Sequence, residues 1–101
     1  MLYKGTTPTH TFEVGIDTNI IATVKIIYAQ NNKIVLTKNT EDCLISDGVI
    51  SVQLSQEDTF LFDQNLDVEI QIRIITSGDD SICSDIIKTE VMRCLENEVL
   101  L

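Results

Sequence analysis

Asp67-Val68-Glu69-Ile70-Gln71-Ile72-Arg73-Ile74-Ile75-Thr76 is the stretch that decides the fold class. Val68, Ile70, Ile72 and Ile74 occupy alternate positions, with Asp67, Glu69, Gln71 and Arg73 between them. Successive side chains of an extended chain point to opposite faces, so this spacing makes one apolar face and one wet face. Ile and Val also suit a pleated surface, where their branched Cβ packs well. Residues 67–76 therefore read as a strand lying on a core.

The same period runs outward in both directions. Residues 49–54 place Ile50, Val52 and Leu54 inward, with Ser51 and Gln53 outward. In 21–29, Ala22, Val24, Ile26 and Tyr28 share a face, while Ile27 on the other suggests a strand covered on both sides. In 10–16, Phe12, Val14 and Ile16 alternate with Thr11, Glu13 and Gly15. Residues 33–38 offer Ile34 and Leu36, and 43–46 form a short strand. Gln30-Asn31-Asn32, Asp47-Gly48 and Ser77-Gly-Asp-Asp-Ser81 supply turns, since Asn, Asp and Gly tolerate left-handed backbone angles.

Ser55-Gln-Glu-Asp58 breaks the rhythm as a capping box with Asp in its last position. A single helical turn near 55–62 is expected to cross between sheets, its aromatics plugging the end of the core. The last segment has two readings. As a strand over 83–92 it turns Ile87, Thr89 and Val91 inward; as a helix from Ser84 it stripes Ile87, Val91, Cys94 and Leu95. The preceding turn favours the strand. About seven short strands separated by regular turn signals indicate a β-sandwich or barrel, and 101 residues fit one domain, 1–101.

With 44% hydrophobic residues the chain has enough apolar material to fold without metal or disulfide staples. Its formal charge of −9, from 16 acidic against 7 basic residues, repels phosphate backbones and anionic lipid. Direct nucleic-acid or membrane binding is disfavoured, and docking to a basic protein surface is the functional reading of that charge. The start lacks the apolar core of a signal peptide and no run reaches the length of a membrane span, so a cytosolic protein with reduced thiols is expected.

Chemistry-bearing residues are few. His10 is the single histidine, and it shares parity with Phe12 as a half-packed rim residue. A dyad with Cys43 or Cys83 would need a local signature and an orienting group, and neither is present. Cys43, Cys83 and Cys94 lack zinc-ligand spacing and read as small hydrophobes. The acidic pairs Glu41-Asp42, Glu57-Asp58 and Asp79-Asp80 lack the alternating ligand pattern of a calcium loop. No phosphate-cradling glycine loop or nucleophile elbow occurs. No catalytic, cofactor-binding or metal residue is assigned, no cofactor is expected, and the chain reads as a non-enzyme. A sugar-binding face would rest on Tyr3 and Tyr28. Lys25, Lys33 and Lys38 read as edge-strand residues that discourage promiscuous pairing, which leaves the first strand, released by Pro8, and the last strand as candidate edges.

Tyr3-Lys-Gly-Thr-Thr-Pro-Thr-His-Thr-Phe12, Val52-Gln-Leu-Ser-Gln-Glu-Asp-Thr59, Val68-Glu-Ile-Gln-Ile-Arg73 and Ser84-Asp-Ile-Ile87 together carry a resemblance. The chain resembles the small proteins encoded among structural genes of bacterial prophages. More distantly, it is similar to the immunoglobulin-like amino-terminal domains of phage upper-baseplate proteins. The resemblance implies an Ig-like sandwich and a tail- or baseplate-associated role in the virion, after synthesis in the host cytoplasm. It implies other phage structural proteins, or a second copy, as partners, and it assigns no functional residue. The alternative is a stand-alone binding module for a carbohydrate or a host protein.

Overall fold

The computed structural model describes residues 1–95 and 99–100. Ten strands account for most of it: β1 Leu2–Tyr3, β2 Thr9–Glu13, β3 Ile21–Gln30, β4 Lys33–Asn39, β5 Cys43–Ser46, β6 Val49–Gln53, β7 Val68–Thr76, β8 Ser81–Cys83, β9 Ile87–Thr89 and β10 Val91–Met92. One helical turn, α1 Gln56–Phe60, links β6 to β7. The protein is all-β and sandwich-like. β2-β6-β5 form a three-stranded antiparallel sheet, and β4-β3-β7 continues into β8 and β9 as a five-stranded one. β1 pairs in parallel with β10.

Consecutive strands either form hairpins or change sheets. β3–β4, β5–β6 and β7–β8 are hairpins, whereas β2–β3, β4–β5 and β6–β7 cross over. The strand order therefore matches the B-E-D and C′-C-F-G strands of an immunoglobulin-type sandwich. Tyr28 on β3 is fully buried among the core residues.

Alternation along β7 is as the sequence implies: Val68, Ile70, Ile72 and Ile74 are all buried. They face Val24, Ile26 and Tyr28 of β3 within their own sheet and pack against Ile50, Val52 and Leu54 from β6 and the residue after it. Burying each such side chain contributes about 1.5–3 kcal/mol relative to exposure. Asn31 and Asn32 (φ 50° and 63°) and Asp47 with Gly48 (φ 52° and 79°) form two-residue hairpins of the type whose twist suits paired strands. The capping box also forms: the Asp58 N–H donates to Ser55 Oγ at 3.0 Å, and the Ser55 N–H donates to Asp58 Oδ2 at 2.9 Å. Phe62, just after α1, is fully buried.

Bulges change some sequence expectations. The β3–β7 register shifts between Ile21 and Thr23, so Ala22 turns outward and half-buried Ile21 takes its inward place. The β3–β4 register shifts between Tyr28 and Ala29, which inserts Val35 and leaves Ile34 67% exposed. Lys25 lies on β3, a central strand opposite Arg73, and only Lys33 and Lys38 guard the β4 edge. The strand expected over 83–92 is three pieces, and among the described residues no helix forms from Ser84. Its pairing with β7 moves by one residue between Cys83 and Ile87, and the Ser84 hydroxyl accepts the Ile72 N–H at 3.0 Å in place of a ladder carbonyl. No helix among the described residues is long and apolar enough to cross a membrane.

Candidate functional site

Two hydrogen bonds fix the phase of β2. The Val14 N–H donates to Gly48 O at 3.0 Å and the Leu54 N–H to Pro8 O at 2.9 Å. With the register His10↔Val52 and Phe12↔Ile50, the alternation of an antiparallel ladder turns the backbone groups of His10 and Phe12 toward β6. The N–H and C=O groups of Thr9, Thr11 and Glu13 then point away from the sheet. Among the described residues β2 pairs with β6 alone. Thr-His-Thr-Phe is uncharged at neutral pH and suits a strand, so between Pro8 and Glu13 nothing blunts this edge. The β4 edge has two Lys and a bulge, and the β8–β9 edge is interrupted at Ser84.

The side chains beside the edge explain why it matters. The second sheet is wider than the first, so among the described residues the inward-facing side chains of β8 and β9 meet no strand opposite. Ile82, opposite Ile74, is 38% exposed, and Ile87, opposite Ile70, is 46% exposed. With Phe12, Val14, Ile72 and Ile74 they line an open groove of about 360 Å³. A second depression of about 330 Å³ continues it past His10, Ile70 and Thr89 to Met1. Its position is that of strand A in an immunoglobulin-type sandwich, beside the strand equivalent to B.

The residues that carry chemistry are tied into the scaffold. His10 Nδ1 hydrogen-bonds the buried Tyr28 hydroxyl at 2.7 Å, and burial, reinforced by the amino terminus, holds the imidazole pKa below its ordinary value. Burial chiefly, with Cys43 and Asp58 adding to it, raises the Tyr28 phenol well above the usual range. The ring packs at 5.8 Å from that of Phe62, so Tyr28 offers no sugar platform, and Tyr3 alone remains exposed for one. Cys43 donates its S–H to Asn39 O at 3.3 Å. Burial first, then Asp42 and Glu41, raise its thiol pKa against the opposing pull of Lys38, which disfavours the nucleophilic thiolate. His10 and Cys43 both oppose Val52, from its two sides, which separates their backbones by roughly 9–10 Å. Cys83 is exposed on the other sheet and Cys94 is exposed beyond β10, so neither dyad assembles.

The acidic pairs serve the backbone. Asp42 Oδ2 accepts the Asn39 N–H at 2.9 Å, and Asp79 holds the left-handed angle (φ 65°) of the β7–β8 turn. Asp58 caps α1 and pairs with Lys38 at 2.8 Å, the one ion pair among the described residues. Burial works to raise the Asp58 pKa, but hydrogen bonds from Lys38 and Ser55 and the Lys38 charge outweigh it and lower it overall. No group of three or more His, Cys, Asp or Glu converges among the described residues.

No protein family, curated protein or solved structure matches the chain. Among the described residues, the site consists of the β2 edge and the apolar groove beside it. Sequence reasoning named the first strand as a candidate edge. It missed the groove, whose signal lay in Ile82 and Ile87, apolar residues left without an opposing strand.

Proposed function

We propose that the protein is a non-enzymatic structural or assembly component, of the tail- or baseplate-associated kind, acting through protein–protein contact. The observation that carries this reading is the β2 edge, free among the described residues, lying along an apolar groove that those residues leave uncovered. Exposed strand edges next to apolar side chains are where chains add to one another. Support also comes from the side chains able to do chemistry, His10, Cys43 and Tyr28, whose hydrogen bonds and packing serve the core. The net charge of −9 favours a neutral or basic protein partner over nucleic acid or an anionic membrane.

Co-expression with the products of adjacent genes, followed by size-exclusion chromatography with light scattering, tests the proposal. A discrete complex or a defined oligomer is expected. A strict monomer that is retarded on a glycan column would overturn it in favour of a carbohydrate-binding module.

A further inference from the structure

We infer that the vacant position beside β2 accepts one extended segment of a partner protein, apolar at alternate positions and carrying Lys or Arg where it passes Glu13. The inference rests on the assembly reading and specifies its contact.

Thr9, Thr11 and Glu13 each present one N–H and one C=O outward, so a strand laid along β2 gains up to six backbone hydrogen bonds over about 17 Å. Its side chains would alternate. One set would fall into the groove against Phe12, Val14, Ile82 and Ile87, and the other would face solvent beside Thr9, Thr11 and Glu13. Backbone bonds supply affinity in such an addition, and the pockets for alternate side chains supply selectivity.

Two observations narrow the occupant. The first is width. The second sheet projects past β2 by the β8–β9 strand, which leaves room for a single strand but sets that projection against a second whole sandwich. The second is charge. The Val14–Gly48, Gly48–Thr18 and Ser77–Ile20 hydrogen bonds gather three loops at the Glu13 end of the groove. Those loops add Asp17, Asp47, Asp79 and Asp80, and residues 13–20, 46–49 and 76–81 contain no Lys, Arg or His. A segment leaving the groove there meets only negative charge, which favours a cation in the partner and disfavours an anion.

The test uses a blocked hexapeptide of alternating Thr and Val with Lys-Lys at each end, and the same peptide with Glu-Glu ends, titrated into the full chain and followed by amide NMR shifts. The Lys peptide is expected to shift Thr9, Thr11 and Glu13 amides and to bind at least tenfold more tightly than the Glu peptide. Thr11→Pro removes one outward N–H while leaving the β6 ladder intact, so its melting temperature stays close to wild type and peptide binding falls at least tenfold. Glu13→Lys should erase or invert the preference for Lys ends. Failure of the wild type to bind, or equal binding by Thr11→Pro, would overturn the groove proposal. A neighbour complex that survives in Thr11→Pro would overturn it while leaving the assembly reading intact. A chain that binds the peptide but joins no complex would retain the groove and discard the assembly role.

Discussion

Lys38 and Asp58 tie the edge strand β4 to α1, and a double-mutant cycle measures that tie. The two side chains are only 17% and 16% exposed and lie 2.8 Å apart. A hydrogen bond between charged groups at this degree of burial contributes about 1.5–3 kcal/mol. Asp58 also caps α1, which adds about 1 kcal/mol. Lys38→Met keeps the aliphatic stem and should cost about 1.5–3 kcal/mol, Asp58→Ala about 2.5–4, and the double variant little more than Asp58→Ala alone. The coupling energy of about 1.5–3 kcal/mol would be read from urea denaturation followed by circular dichroism. Acidity gives a second readout. The folded pKa of Asp58 lies below its ordinary value of 3.8. Its contribution is thus fully present above 3.8 and is lost as pH falls through the folded value, and Lys38→Met should flatten that acid limb. Additive single effects, with coupling under about 0.5 kcal/mol, would refute the reasoning.

Three further outcomes follow from single residues. Gly5 sits at φ 78°, and a Cβ there would lie 2.7 Å from Phe60 Cζ; Gly5→Ala should cost about 1–3 kcal/mol in thermal melts. Buried Gln30 donates to Asp63 O and Leu66 O and accepts the Asp63 N–H. Gln30→Met should cost about 2–4 kcal/mol and raise amide exchange at Asp63. The folded pKa of His10 lies below 6.5, so the unfolded chain takes up the proton first. Stability is full above pH 6.5 and declines as pH falls from there to the folded pKa, and His10→Gln should remove that slope in denaturation curves across the interval.

Legibility from sequence followed local periodicity. β7 and β6 alternate without interruption, so their inward residues were readable, and Asn31-Asn32, Asp47-Gly48 and Ser55–Asp58 announced their turns and cap through backbone chemistry alone. Expectations failed where one residue was inserted. Val35 suits a strand and Ala22 keeps the apolar alternation, and only pairing with a neighbour reveals that they are bulged. The last segment failed for a related reason, because Ser84 replaces a ladder carbonyl with its hydroxyl and resets the phase. Gln30 was invisible as a clamp because its partners lie more than thirty residues away. The candidate site was half legible. Pro8 marked the edge, whereas the groove depends on one sheet being wider than the other.

Amide hydrogen exchange along β2 in dilute solution tests the unguarded edge most directly. The Thr9, Thr11 and Glu13 N–H groups should exchange quickly, while those of His10, Phe12 and Val14 are protected by β6. Equal protection at all six positions in the monomer would mean that another segment already covers the edge, and no place for a partner strand would remain.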